Sequence, residues 1–430
     1  MRSWVEGANE PHGFGLNHLP YGAFRKDEAT RLCVRIGDWG LDLEACERHG
    51  LLEGLSSDVR KACGQATLNA LLATGPEAWR MLRAALTEIL SDSADSYARS
   101  ASDWLLFPLH DVELVIPIDP RGYTDFYASL HHARRVGELF RPDNPLLPNY
   151  KQVPIAYNGR ASSLVVSGTP VRRPWGQRRP VSEGGQPEFE PSAALDYELE
   201  LAFVMGQGNA LGEPIPIAKA REHIFGVMLL NDWSARDVQA WEYQPLGPFL
   251  GKSFATSVAP WVTPMAALEP FRVAPVAREH GDPQPLPYLV DAADHRDGAL
   301  DIQVEVLLST EASRAAGLEP MVVSRGGTRE LYWTAAQMVA HHTSNGCNLQ
   351  PGDLLATGTI SGTQRESAGC LLELARNGAR TITLPNGERR AWLQDGDEVT
   401  LRARCEREGL PSVALGECSA CVLSAIFDSE

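Results

Sequence analysis

The stretch Leu195-Asp196-Tyr197-Glu198-Leu199-Glu200-Leu201-Ala202-Phe203 alternates strictly. Leu195, Tyr197, Leu199, Leu201 and Phe203 share one side; Asp196, Glu198 and Glu200 share the other. A period of two predicts a half-buried β-strand, because a helix would scatter both sets around its surface. On a strand, Glu198 and Glu200 stand roughly 6.5–7 Å apart on one face. Carboxylates that close repel unless positive charge lies between them. A solvated edge strand would also display such a pair, but acidic and basic residues in neighbouring motifs favour a metal.

Two further stretches supply acids. Asp125 lies in Tyr123-Thr124-Asp125-Phe126-Tyr127, and Asp232 lies in Asn231-Asp232-Trp233-Ser234-Ala235-Arg236-Asp237 after the apolar run Val227 to Leu230. An all-oxygen set of Asp125, Glu198, Glu200 and Asp232 suits a hard cation such as Mg²⁺, Ca²⁺ or Mn²⁺ rather than zinc. Arg236 and Gln239 follow Asp232 at helical spacing, and all three would share a face if the segment is helical. Lys252 lies in Gly247-Pro248-Phe249-Leu250-Gly251-Lys252-Ser253, whose glycines let backbone approach a ligand. Phosphate-loop spacing is absent, so ATP is not implied. A surface salt bridge is the plain alternative for Arg236 and for Lys252.

His131-His132 offers an imidazole base for chemistry near neutral pH. His341-His342 ends an apolar helix and reads as structural. Glu373, in Leu371-Leu372-Glu373-Leu374, reads as an acid within an apolar strand, and a buried carboxylate there needs a partner such as a catalytic histidine. Gly168-Thr169-Pro170 and Gly358-Thr359-Ile360-Ser361-Gly362 are turns whose amides and hydroxyls could bind an anion. No G-x-S-x-G serine motif occurs, and Cys418-x-x-Cys421 stands without a second pair, which is weak support for zinc.

The 430 residues exceed one small domain, and two are expected. We place the boundary near Pro117, giving units 1–117 and 118–430. The first holds short strands between Arg31 and Leu43, around Gly37-Asp38-Trp39-Gly40. It also holds a helix opened by Pro76, with Trp79, Leu82, Leu86 and Ile89 on its core face. A short strand is expected over Leu114 to Ile118. The second unit is strand-rich, with an Asn386-Gly387 hairpin between Arg380–Leu384 and Arg389–Leu393. Helices are expected from His223 to Leu230 and from Ala335 to His342, the latter capped by Thr334. Residues 170–191, with five prolines, read as a long loop, mobile or lid-like. A net charge of −16 disfavours nucleic acid and anionic membrane as partners. No apolar run of about 18 residues predicts a membrane span. No signal peptide is apparent at the start, so the eight cysteines are expected as reduced thiols in the cytoplasm.

Taken together, these motifs resemble the fumarylacetoacetate hydrolase family, full-length two-domain type. The likeness runs through Tyr123–Tyr127, Asn158–Ser163, Ser167–Pro170, Leu195–Glu200 and Asn231–Asp237. It continues through Trp241–Tyr243, Pro245–Ser253, Asn345–Asn348 and Gly352–Gly362, and the early Pro11-His12-Gly13-Phe14-Gly15 also fits. The resemblance implies a mainly β fold with some α. A small N-terminal SH3-like barrel domain would precede a large C-terminal mixed β-roll, in a homodimer. It places metal ligands on Asp125, Glu198, Glu200 and Asp232 around Ca²⁺, with a second, Mg²⁺-type site at Asp232, Lys252 and Thr256. His132 becomes the base with Glu373 orienting it. Arg236, Gln239 and Lys252 stabilise an oxyanion, and Tyr127, Arg141, Gln239, Tyr243 and Thr359 touch substrate. Asn158 and Ala255 depart from the family's usual histidine and glycine.

The implied reaction is hydrolysis of the carbon–carbon bond of a 1,3-diketone with a carboxylate at each end, giving fumarate and acetoacetate. A divalent metal would spread the leaving carbanion's charge, which is worth several kcal/mol. Related acylpyruvate hydrolases, decarboxylases and hydratases, which share the carboxylate site, form the alternative. A protein in which Ca²⁺ only staples strands would need no histidine base.

Overall fold

The computed structural model describes residues 2–94, 96–180, 182 and 185–426 and is mainly β with some α. Strands β1 (Tyr21–Lys26), β2 (Ala29–Ile36) and β3 (Trp39–Asp42) form an antiparallel meander. Helix α1 (Pro76–Leu90) starts at its proline and buries Leu82, Leu86, Ile89 and Leu90. The site is assembled by β4 (Tyr123–Phe126), α2 (Leu130–Phe140), β5 (Leu195–Asp196), β6 (Leu199–Met205) and β7 (Ile224–Asp232). They are joined by β8 (Ser234–Ala235), α3 (Arg236–Glu242), β9 (Thr256–Val258) and β10 (Trp261–Pro264). Helix α4 (Ala335–Thr343), strand β11 (Leu354–Ala356) and helix α5 (Leu371–Leu374) complete it.

The main sheet has 13 strands among the described residues, and β3-β2-β1-β10-β7-β6-β11-β4 are consecutive in it. Tyr21 pairs with Val262 and Gly22 with Trp261, so the N-terminal meander runs directly into the strands of the site. Among the described residues these first strands close no barrel. A second sheet orders Met321–Gly327, Gln303–Ser309, Glu398–Cys405, Val413–Leu423 and Val171–Arg172.

The alternation of the opening stretch has a different cause from solvent on one side. Leu199, Leu201, Phe203 and Met205 face one core with Val227, Leu229 and Trp333. Ala202 and Val204 face another with Met228, Leu230, Val258 and the N-terminal Leu32, Val34 and Leu82. Both faces of β6 are buried, and the acids lie where the second face leaves the apolar core. A polar row can be buried only if it finds partners, so the alternation marks a pocket instead of a surface.

Several local expectations fail. Residues 224–232 form strand β7, not a helix, with all nine positions buried. An apolar run buried on both faces carries no period that separates strand from helix. Glu373 sits on the short helix α5, not in a strand, because a carboxylate from another segment caps that helix. The 170–191 stretch contains a hairpin pairing Trp175–Arg178 with Glu188–Pro191; residues 181, 183 and 184 lie outside the described residues. The strand expected at Leu114–Ile118 is Glu113–Val115, and the Asn386-Gly387 hairpin keeps only Ile382–Thr383 and Arg389–Arg390 as paired strands. Helix α4 forms as expected, with a full capping box between Thr334 and Gln337.

Candidate active site

Sheet register brings the acids together. Asp125 on β4 lies beside Ala356 of β11, which pairs in turn with Ala202 of β6, two residues from Glu200. Glu200 pairs with Leu230 of β7, which places Asp232 at the same end of the sheet. One carboxylate oxygen from each of Asp125, Glu198, Glu200 and Asp232 lies within 4.8 Å of the others, and all four residues are buried. Asp125 Oδ1 and Glu200 Oε1 have no hydrogen-bond partner.

Two cations face this cluster. The Lys252 ammonium donates to Asp232 Oδ2 at 2.6 Å and to Glu198 Oε2. Arg236 Nη1 lies 2.6 Å from Glu198 Oε1. Tyr157 donates its hydroxyl to Asp232 Oδ2 at 2.8 Å, and Thr256 Oγ1 donates to Asp232 Oδ1 at 3.2 Å. Burial works against the charge on Glu198, but Arg236 and then Lys252 hold it at about 2. Burial and then the Asp232 charge push Asp125 up to about 8. Burial, Asp125 and Asp232 push Glu200 well above the carboxylate range. Burial and mutual repulsion thus raise Asp125 and Glu200, the two acids whose Oδ1 and Oε1 lack a hydrogen-bond partner. Hard oxygen donors, an excess of negative charge and orphaned oxygens fit a divalent cation.

Beside this cluster, Ser129 caps α2 and sets His132 on its first turn. His132 Nδ1 hydrogen-bonds Glu373 Oε1 at 2.6 Å, with both side chains buried. Glu373 Oε1 also accepts from Ser361 Oγ at 2.7 Å and from the Cys370 thiol at 3.4 Å, and Oε2 accepts from Arg135 Nη1 at 3.0 Å. Burial would raise the Glu373 carboxyl, yet the His132 imidazole and these donors bring it down to about 2. With Nδ1 committed to Glu373, Nε2 is the nitrogen available as base. The Tyr127 ring packs edge-on against His132, centroids 5.2 Å apart.

Arg236 and Gln239 lie on α3, with Arg236 Nη1 donating to Gln239 Oε1 at 3.2 Å. Asp232 precedes that helix on β7, so the three do not share a helical face; the β7–β8–α3 turn brings them together. Arg236 Nη2 and Thr359 Oγ1 are buried without partners. Arg141 ends α2 with its Nε buried and unpaired, and Tyr243 follows α3 at 38% exposure. Among the described residues, no hydrogen bond joins either of these side chains to the cluster. His342 Nε2 bonds Thr124 and His341 Nδ1 bonds Tyr288, both at 2.9 Å, which are structural roles. Sequence reasoning missed Tyr157 and Arg135 as members of the site, and it placed Ser361 in a turn that could bind an anion, where Ser361 instead donates to Glu373. Arg135 left a trace, three residues past His132 on one helix face.

A buried acid cluster that could hold a cation, next to a histidine oriented by a carboxylate, is the arrangement a metal-dependent hydrolase needs. Comparison with known proteins narrows this. Residues 121–422 match the family model described as fumarylacetoacetate (FAA) hydrolase C-terminal, and residues 17–117 match that described as fumarylacetoacetase N-terminal. The chain therefore belongs to the fumarylacetoacetate hydrolase family. It is 47% identical to fumarylacetoacetase of Oryza sativa subsp. japonica, over 99% of this chain and 98% of that protein. It is 45% identical to the Homo sapiens enzyme of that name, over 98% of each. A solved fumarylacetoacetate hydrolase from psychrophilic Exiguobacterium antarcticum shares the fold, with a TM-score of 0.52 and 18% identity over 94% of this chain and 99% of that one.

Proposed function

We propose that the chain hydrolyses the carbon–carbon bond of fumarylacetoacetate, releasing fumarate and acetoacetate. The observation that carries the reading is the buried His132–Glu373 pair set beside the four-carboxylate cluster. Full-length relatives with this activity, at 45–47% identity, support it.

Asp125, Glu198, Glu200 and Asp232 would hold the cation, which the family resemblance makes Ca²⁺, and Asp232 with Thr256, beside the Lys252 ammonium, would serve a second or substitute Mg²⁺. When bound, such a cation supplies Lewis-acid polarisation of substrate oxygens. His132 Nε2 takes a proton from water while Glu373 stabilises the resulting imidazolium. The hydroxide attacks the ketone next to the fumaryl group. Arg236, Gln239 and Lys252 direct N–H groups at the developing oxyanion; one such donor is typically worth ~10²–10³ in rate. The oxyanion collapses, the carbon–carbon bond breaks, and the acetoacetate carbon receives its proton from His132. Fumarate leaves as the acid product, with water supplying its new oxygen. Tyr127, Arg141, Gln239, Tyr243 and Thr359 contact the two ends of the substrate, and the unpartnered Arg236 Nη2 and Thr359 Oγ1 support an anionic ligand.

We read residues 1–117 as an SH3-like unit and 118–430 as a β-roll catalytic unit, a division supported by the separate family models over 17–117 and 121–422. The working form is a cytoplasmic homodimer. No described helix is long and apolar enough to cross a membrane. The test is turnover of fumarylacetoacetate, followed by loss of diketone absorbance, before and after chelation and after Ca²⁺ or Mg²⁺ is restored. Metal-dependent release of fumarate and acetoacetate is the expected result. A folded, metal-loaded protein that leaves this substrate intact but cleaves an acylpyruvate would overturn the substrate assignment.

A further inference from the structure

Asp196 belongs to neither the cation cluster nor the base pair, yet its carboxylate touches the supports of both. Its side chain is fully buried. Oδ2 accepts from Arg236 Nε at 2.9 Å and from the backbone N–H of Leu372 at 3.0 Å. Oδ1 accepts from the N–H of Leu371 at 2.8 Å and of Tyr197 at 2.9 Å. Leu371 and Leu372 open α5, whose own N-cap residue, Cys370, makes no side-chain cap. The next residue of that helix is Glu373, which holds His132.

The strand pairing explains the placement. Leu195 pairs with Ala235 and Asp196 with Ser234, so β5 lies against the segment that leads into Arg236. The N–H of Arg236 also donates to Ala194 at 3.0 Å. Asp196 alternates in sequence with Glu198 and Glu200, but the strand breaks at Tyr197–Glu198, and Asp196 on β5 serves a different purpose. It fixes the guanidinium so that Nε is occupied, Nη1 meets Glu198 and Nη2 is left unpartnered.

We propose that Asp196 is a positioning residue that couples the oxyanion arginine to the helix bearing Glu373, so that both halves of the machinery are set by one carboxylate. This rests on the roles given above to Arg236 and Glu373. Asp196→Asn is isosteric. The amide NH₂ then faces either Arg236 Nε and Leu372 N or Leu371 N and Tyr197 N, donors in every case. One half of the arrangement is displaced whichever way the amide turns.

The experiment compares D196N, R236Q, E373Q and D196N/R236Q in the full chain loaded with Ca²⁺. D196N is expected to lower kcat and kcat/KM together by ~10²-fold, because the donors it disturbs act in the transition state. Ca²⁺ affinity, measured by calorimetry without substrate, should stay within about threefold, since Asp196 holds no cation. In the R236Q background the D196N loss should shrink to under about tenfold, because residues in one network are not additive. The downfield Nδ1 proton resonance of the His132–Glu373 hydrogen bond should shift or broaden in D196N. A lowered Tm with normal kcat per folded molecule and an unmoved resonance would make Asp196 merely structural and overturn the inference. Near-normal turnover in R236Q and E373Q would instead overturn the site reading itself. If D196N does not fold, D196E carries the test: its extra methylene presses α5 and Arg236 apart, kcat should fall at least about tenfold, and an unchanged kcat overturns the proposal.

Discussion

Replacing Glu373 by glutamine removes one charge from a fully buried hydrogen-bonded group and leaves its volume unchanged. The carboxyl is held at about 2 against an ordinary 4.5, so its surroundings favour the ionised form by about 3 kcal/mol after burial has acted against it. His132 is the largest of the favourable influences, ahead of Ser361 and Arg135. When the charge goes, the imidazolium formed during turnover loses its buried counter-charge, which slows the proton transfer. Geometry adds to this. Oε1 accepts from His132, Ser361 and Cys370 while Oε2 accepts from Arg135, so a glutamine NH₂ opposes a donor in either orientation. If the amide turns toward His132, the imidazole is driven to the tautomer with its proton on Nε2, which is no base; a comparable change in a serine-protease triad costs ~10⁴-fold. E373Q should therefore lose at least ~10²-fold in kcat, measured by diketone absorbance at saturating substrate with Ca²⁺ present. The same variant has a stability signature. A carboxyl depressed when folded contributes stability that is complete above its unfolded value of 4.5 and is lost as pH falls toward about 2. The stability gap between wild type and E373Q, from denaturant unfolding, should thus narrow from about pH 5 down to about pH 2. A folded E373Q within about threefold of wild-type kcat, or a gap that does not change over that range, would refute the reasoning.

The remaining predictions concern the acid cluster. Asp125 is pushed up to about 8, so it is protonated at neutral pH in the metal-free protein and a cation must displace its proton. Ca²⁺ affinity should rise with pH through the neutral range, with proton release seen by calorimetry in buffers of different ionisation enthalpy; a flat profile would count against the assigned ligands. Glu198→Ala strips Lys252 and Arg236 of a buried counter-charge. It should lower calcium affinity and cost about 3–5 kcal/mol of stability in chemical unfolding, and unchanged calcium binding would remove Glu198 from the ligand set. Gly358 has φ +72°, and a Cβ there would stand 2.2 Å from the Phe126 carbonyl oxygen. Its N–H donates to Glu200 Oε2 at 3.1 Å, so Gly358→Ala should weaken metal binding as well as stability, and calorimetry showing normal affinity would contradict that link.

Much of the site was legible in the sequence because chemistry restricts residue type. The acids Asp125, Glu198, Glu200 and Asp232 were legible as an all-oxygen set, although a solvated edge strand would also have displayed two of them, and the structure groups the four within 4.8 Å. Helices α1 and α4 were legible too, since a proline at the first turn and a Thr–Gln capping box are local signals. The strand β7 was not, because full burial on both faces erases the alternation that separates strand from helix. Nor was α5, whose four residues depend on a cap from Asp196, some 175 positions away.

By itself, then, the sequence determined the chemistry available: which groups can hold a cation, act as base or donate to an oxyanion, and the alternation of three acids with apolar residues. Tertiary structure decided what those groups do. It turned a surface-like acidic row into a buried pocket by packing a second core against the far face of β6. It also chose Glu373 for His132 and gave Asp196, the first acid of the row, to Arg236 and α5. The reason is physical: residue type sets a side chain's bonding capacity locally, whereas burial and partners, which set its charge state, come from segments distant in the chain.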